Sequence, residues 1–341
     1  MSEKRLGWVD ALKFLGIFAI YIGHLGGASG KAYQFVFLYH VQIFFFVAGF
    51  FATYKNNKDS VNFIYDRFKR LMLPYFAFGV ITVIVKSIDK QFGVIEFFEA
   101  FTHILYGVRN DEYVGGMWFI NCLFVICVFD YFSFKILKNK YLVLAVSLSS
   151  FIVSQYYLDK NPLSAPMWFM NIDSAMAYWW LMAAGRILFP VVCKINPHDT
   201  KFIFYPLIVI LTLIASYTYF NESHFYFWFF QHAFPSLPLT KWFWTLNFII
   251  EPLTLVLFNV FIAMIVCKST TINSVGRNSL NLCGIETSLK MIIPMVLTAI
   301  GLQLSITNTI TACFYVSICL FVAHKITKWI SHNYGSVFLI R

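Results

Sequence analysis

WVDALKFLGIFAIYIGHLGG, residues 8–27, decides how the rest of the chain is read. Apart from Asp10, Lys13 and His24 it is an apolar run of the roughly 20 residues that a helix needs to cross a bilayer. Ionisable groups are costly in such a place and are functional candidates by default. Lys13 and His24 are eleven positions apart. Eleven helical steps return to within roughly 20° of the start and rise roughly 16 Å, so the two side chains share one face of the helix at different depths. Asp10, one turn before Lys13, can neutralise it as a salt bridge that lets the helix insert. His24 taken alone also reads as a polar residue facing headgroups at a helix end.

The surrounding composition agrees with a membrane solvent. Of 341 residues, 59% are hydrophobic, 20% aromatic and only 12% charged, far more apolar than a soluble domain needs. The net charge of +10 is spread between apolar segments and not pooled in a patch, which fits anionic lipid or an anionic ligand and excludes nucleic acid. Apolar windows fall at 8–27, 33–54, 71–88, 116–137, 140–158, 170–191, 202–220, 243–266, 278–301 and 306–330. The fold expected is therefore an all-α integral membrane bundle of about ten transmembrane helices. Asn171, Asp173 and Arg186 interrupt the sixth window. Residues 93–107 look amphipathic and suit the interface.

Placing about 18 Lys/Arg inside, Arg5, Arg67, Arg70, Lys138, Arg277 and Lys328 among them, and about six outside, Lys31, Lys90 and Arg109 among them, gives a bias of about threefold and puts both termini in the cytoplasm. Residues 1–341 read as a single transmembrane domain with no soluble accessory domain and no cleaved signal peptide. The seven cysteines show no metal-ligand spacing, and no metal or disulfide framework is indicated.

Two further constellations stand out. His40, opening the second span, would sit at the same outer depth as His24 across a short hairpin. Arg67 and Arg70, at i and i+3 before Pro74, read as a positive-inside flank or, if they share a face, as a clamp for phosphate. Asp173, near Tyr178, Trp179 and Trp180, reads equally as a glycan contact and as a polar helix entrance. Trp118 and Asn121 stand likewise. The aromatic loop 221–242, with His224, Tyr226, Trp228 and His232, lines an acceptor site or anchors in the interface, the anchor being the simpler reading.

In order, Lys13-x10-His24, FFFVAGFF at 44–51, and Arg67-x-x-Arg70 with Pro74 resemble the membrane acyltransferase family 3. His40-Val41-Gln42-Ile43-Phe44-Phe45 is similar to the His-x-Pro-Leu-Phe-Phe element of its fucose 4-O-acetylase-like, polysaccharide O-acetyltransferase branch. Met117-Trp118-Phe119-Ile120-Asn121, Asn171-Ile172-Asp173 through Gly185, and Gly276-Arg277-Asn278-Ser279-Leu280 resemble later elements of that branch. The likeness spans essentially the whole chain. Three positions depart from the pattern: Lys13 stands where Arg is usual, Gln42 where Pro is common, and Glu286 near the place of a later His.

The resemblance implies transfer of an acetyl group from acetyl-CoA, a co-substrate and not a bound cofactor, to a hydroxyl of a cell-surface glycan (capsule, O-antigen or exopolysaccharide) or its lipid-linked precursor. His24 would be general base or acyl carrier, with His40 and Asp10 assisting, and Lys13, Arg67 and Arg70 would hold the donor. Trp118, Asn121, Asp173 and Glu286 are candidates for the acceptor. The protein would sit among lipids as a multi-pass component of a bacterial inner membrane, with homo-oligomerisation open. A transporter or flippase of a glycan or other anionic substrate is the rival class, and a sensor or scaffold without catalysis the third.

Overall fold

Each apolar window folds as helix, because only helices and closed barrels satisfy their own backbone groups away from water. The computed structural model describes residues 5–54, 59–195, 201–221, 224–235, 241–301 and 305–338, and among these there is no strand. Among the described residues, six helical stretches are long and apolar enough to cross a membrane: Ala32–Phe50, Ser60–Lys90, Gly115–Leu137, Phe169–Val192, Phe243–Val266 and Thr309–Trp329. A seventh is gained if Ser279–Lys290 and Ile292–Ala299, bent by 44°, count as one. Six or seven are fewer than the ten apolar windows of the sequence. The shortfall is one of length. Gly7–Gly23 and Lys140–Tyr156 have 17 residues each, and Tyr205–Asn221 is likewise a shorter apolar helix. Seventeen residues rise about 25 Å, less than a hydrocarbon core of about 30 Å.

Two of the spans are irregular for reasons written in their side chains. The window 33–54 breaks into Ala32–Phe37 and Gln42–Phe50, with His40 in the turn between them. The carbonyl of Val36 accepts both the His40 amide and its Nδ1, and Gln42 Nε2 donates at 3.4 Å to the carbonyl of Phe37. A side-chain amide thus serves a backbone group freed by the break. In the third span, Pro74 has no N–H to offer Arg70, and the chain passes through a π-turn at Phe68–Met72, where the Leu73 amide reaches back to Phe68. The wider turn carries Arg70 away from the direction of Arg67 that regular i,i+3 spacing would give.

The chain divides into two compact units, each built from three separated stretches. The first comprises Met1–Val47, Phe189–Ser279 and Ser305–Phe321; the second comprises Ala48–Leu188, Leu280–Leu304 and Val322–Arg341. In the first unit, helix Gly7–Gly23 is the core element, packed by Ala32–Phe37, Lys241–Val266 and Thr270–Arg277. A Cβ on Gly276 would stand 1.8 Å from the Asp10 carbonyl oxygen, so only glycine lets Thr270–Arg277 lie against the first helix there.

In the second unit, Asp130 is fully buried and ion-paired with Arg186, and it accepts from Tyr54 Oη at 2.5 Å and Trp179 Nε1 at 3.0 Å. The charge of Arg186 that interrupts the sixth window is therefore neutralised inside the unit. Its Nε also donates to the Ala52 carbonyl. The close approach that permits this uses Gly49, whose Cβ would lie 2.0 Å from the Met182 carbonyl oxygen.

Candidate active site

One buried carboxylate organises the base of the first helix. Asp10 is 3% exposed. Its Oδ2 accepts from Arg5 Nε at 2.7 Å, its Oδ1 from Arg5 Nη2 at 3.1 Å and from Lys13 Nζ at 3.4 Å, and Arg277 Nε stands 3.7 Å away. Hydrogen bonding to Asp10 raises the Arg5 guanidinium above its ordinary pKa, which keeps it charged. Three cations share one carboxylate, so the cluster keeps excess positive charge. Its side chains differ in access: Arg5 is 61% exposed, Arg277 49% and Lys13 23%. That is the arrangement an oligophosphate needs, with charge-assisted donors held in place from behind and open to solvent in front.

The sequence paired Asp10 with Lys13 but did not find Arg5 or Arg277 as its partners. Arg277 lies in the Gly276–Leu280 element, and the small Gly276 is the signal, since a close approach delivers the next side chain to Asp10. Asp10 is fourteen residues from His24 on one helix, a rise of about 21 Å, so it belongs to the cation cluster and not to the imidazole.

At the other end of that helix His24 is the C-cap, in right-handed helical conformation at φ −77°, its amide bonded to the Ile20 carbonyl. The preceding residue, Gly23, faces Val36 and Phe37 closely enough that a Cβ would lie 3.2 and 3.0 Å from them. His40 is tied to these same two residues: its Nδ1 is 2.8 Å from the Val36 carbonyl oxygen and its ring centroid 4.7 Å from that of Phe37. A carbonyl can only accept, so Nδ1 of His40 carries the proton and Nε2 holds the lone pair of the neutral ring. The hairpin thus brings Gly23, the residue before His24, and His40 to one Val36–Phe37 contact. Asp10, Lys13, His24 and His40 all belong to the first unit, and Arg67 and Arg70 to the second. Arg67 is half-buried with its guanidinium 5.3 Å over Phe63, and Arg70 is exposed.

The aromatic and amide candidates of the second unit form a buried knot. Asn121, with no exposure, donates to the Gly107 carbonyl at 2.8 Å and accepts from Asn171 Nδ2 at 2.7 Å. Asn171 Oδ1 accepts from the Arg109 amide at 2.7 Å. Arg109, placed outside by sequence, is 8% exposed, 4.8 Å over the Trp118 ring, and donates to Tyr178 Oη and to the carbonyls of Pro162 and Leu163. Asp173 accepts from the amides of Met167, Trp168 and Ser174. Together these groups build the loop between two spans. Glu286 is buried in the same unit, at 3% exposure.

A family model described as an acyltransferase domain matches residues 6–323 of the chain. The protein belongs to acyltransferase family 3. No curated protein and no solved structure matches it. Taken with its apolar helices, membership makes this family-3 protein a multi-pass membrane acyltransferase. The matched region takes in Asp10, Lys13 and Arg277 of the cation cluster, His24 and His40, and the buried knot alike.

Proposed function

We propose that this acyltransferase is an O-acetyltransferase of the fucose 4-O-acetylase-like branch, moving acetyl from cytoplasmic acetyl-CoA to a hydroxyl of a cell-surface glycan or its lipid-linked precursor. The observation that carries the reading is the single helix Gly7–Gly23, with a solvent-open cation cluster around Asp10 at one end and the His24–His40 hairpin at the other. The rise from Lys13 to His24, roughly 16 Å, is comparable to an extended pantetheine arm. Lys13, Arg5 and Arg277 hold the donor's phosphates, and Arg67 and Arg70 offer the same charge chemistry in the second unit. The reading takes ten spans with both termini cytoplasmic, the three shorter apolar helices crossing a thinned bilayer.

A sugar hydroxyl is a poor nucleophile at neutral pH, and a positioned base adds on the order of 10²–10⁴-fold. His24 takes the hydroxyl proton as the oxygen attacks the thioester carbonyl carbon. The C–S bond then breaks, and the imidazolium returns the proton to the leaving thiolate. In the carrier variant the acetyl group rests on the imidazole before the sugar takes it. The test is turnover of radiolabelled acetyl-CoA by purified protein. His24→Ala should abolish it while expression and membrane insertion stay intact, and acid quenching of the wild type traps label on the protein only in the carrier variant. Undiminished turnover in His24→Ala would refute the assignment. Passage of a glycan across vesicles with no acetyl-CoA consumed would make the protein a transporter.

A further inference from the structure

The transfer reaction needs a place for its acceptor, and a constellation in the first unit, of which the sequence marked only His224, has the right chemistry. Glu251 lies within the span Phe243–Val266 and is completely buried. Its carboxylate takes four donors. Oε1 accepts from Thr218 Oγ1 at 3.1 Å and from the Phe225 amide at 3.4 Å, and Oε2 from Asn247 Nδ2 at 3.1 Å and from His224 Nδ1. An ionisable group so deep in an apolar span is a functional candidate, and here its partner is identified.

The carboxylate fixes the orientation of two neighbours. A carboxylate only accepts, so Nδ1 of His224 carries the proton, and Nε2, on the far side of the ring, presents a lone pair in the neutral form. The His224 side chain is 27% exposed, unlike Glu251 behind it. Asn247 is 2% exposed, and because its Nδ2 is spent on Glu251, its Oδ1 is the atom left over; that oxygen has no hydrogen-bond partner among the described residues. An orphaned buried acceptor is costly unless something donates to it. The walls are aromatic. Trp244, 41% exposed and stacked at 4.3 Å on Phe227, and Phe248, 37% exposed, stand edge-on with ring centroids 6.1 and 5.9 Å from that of His224.

Two free acceptors select a ligand rich in O–H donors, which argues against phosphates and carboxylates, since these only accept. Apolar aromatic walls suit the C–H faces of a sugar ring. The placement is also right for the reaction. Lys31 Nζ donates to the Phe220 carbonyl at 2.6 Å, Tyr219 Oη to Thr309 Oγ1 at 3.0 Å, and Thr309 Oγ1 to the Ser29 carbonyl at 2.9 Å. The turn that follows His24 is thereby tied to the same helix end that supplies Thr218 to Glu251.

We propose that His224, Asn247 and Trp244 form the acceptor site, taking a saccharide through its hydroxyls, with Glu251 as the positioning residue that aims the imidazole. The inference rests on the acetyltransferase reading, and its test separates the two. Purified full-length protein in nanodiscs is titrated, by intrinsic fluorescence, with a panel of neutral hexose, 6-deoxyhexose and N-acetylhexosamine tetrasaccharides, and acetyl-CoA turnover is followed in parallel. Saturable binding of at least one member is expected, weakened tenfold or more by His224→Gln and by Trp244→Ala, and unchanged by His232→Ala on the neighbouring exposed face. In turnover, His224→Gln should raise the acceptor KM tenfold or more and leave the KM for acetyl-CoA alone. Since Glu251→Ala risks misfolding, Glu251→Gln, which keeps the volume, should give a smaller acceptor effect than His224→Gln. Absence of binding across the panel, or binding indifferent to both His224→Gln and Trp244→Ala, overturns the site. Binding with these mutational effects but no acetyl-CoA turnover supports the site and defeats the transfer reading instead.

Discussion

Replacing Gly276 with alanine tests whether the cation cluster is assembled by backbone contact. The new Cβ would stand 1.8 Å from the Asp10 carbonyl oxygen, 2.7 Å from its carbon and 3.1 Å from the Phe14 amide nitrogen. Ordinary contact lies near 3.5 Å, so helix Thr270–Arg277 must retreat by about 1.5 Å. The neighbours are backbone atoms of a fully formed helix and cannot swing aside. Overpacking of this kind costs about 1–3 kcal/mol, and with no soft neighbour the upper half of that range is expected. The retreat also carries Arg277 Nε, now 3.7 Å from Asp10 Oδ2, beyond ion-pair reach. A charge-assisted phosphate contact is worth about 1.5–3 kcal/mol. Its loss predicts a rise of about tenfold or more in the KM for acetyl-CoA, with a smaller change in kcat. Initial rates across donor concentrations, with thermal unfolding of the same detergent-solubilised samples, measure both effects. Arg277→Ala should reproduce the KM change without the loss of stability, and the double variant should be less than additive. Unaltered KM and melting in Gly276→Ala would mean that neither the contact nor the delivery of Arg277 matters.

Lys13→Arg should keep donor binding, because charge and reach survive, whereas Lys13→Ala should raise the donor KM severalfold; equal KM values in the two variants would remove Lys13 from phosphate binding. Breaking the buried pair by Asp130→Asn should cost about 3–5 kcal/mol, since Arg186 is left charged and unpaired, while Asp130→Asn with Arg186→Met should recover much of it; detergent unfolding of single and double variants decides, and a single variant as stable as wild type would deny the pair its role. Glu112 accepts from Lys90 Nζ at 2.7 Å and from Lys86, and these bonds hold its carboxyl down at about 2 against an ordinary 4.5. A carboxyl lowered on folding stabilises fully above pH 4.5, and its contribution fades as pH falls toward 2. The stability gap between wild type and Glu112→Gln should therefore be flat near neutrality and close in acid, and a gap that widened in acid would reverse the argument.

What could be read in advance was whatever one helix decides alone. The windows became helices because lipid leaves the backbone no other partner. Lys13 and His24 needed only helical periodicity to be placed on one face. Gln42 and Pro74 stand, visibly in the sequence, where the helix breaks and where the π-turn forms, although neither irregularity was foreseen. Span number was less legible, since hydropathy marks an apolar segment without saying where its helix ends. Residues 33–54 are apolar throughout, yet His40 and Gln42 divide them.

The sequence by itself determined a membrane-embedded helical protein and a first helix bearing a cation and an imidazole at separate depths, and its ordered motifs pointed to the family. Only the tertiary structure decided that Arg5 and Arg277 join Lys13 around Asp10, that Glu251 takes His224, Thr218 and Asn247 as partners, and that Arg109, Asn121 and Asn171 are buried together to close a loop. Periodicity acts within one helix and over a few residues, but a buried charge must find its counterpart wherever packing brings one, and Arg277 reaches Asp10 only because Gly276 lets two distant backbones touch.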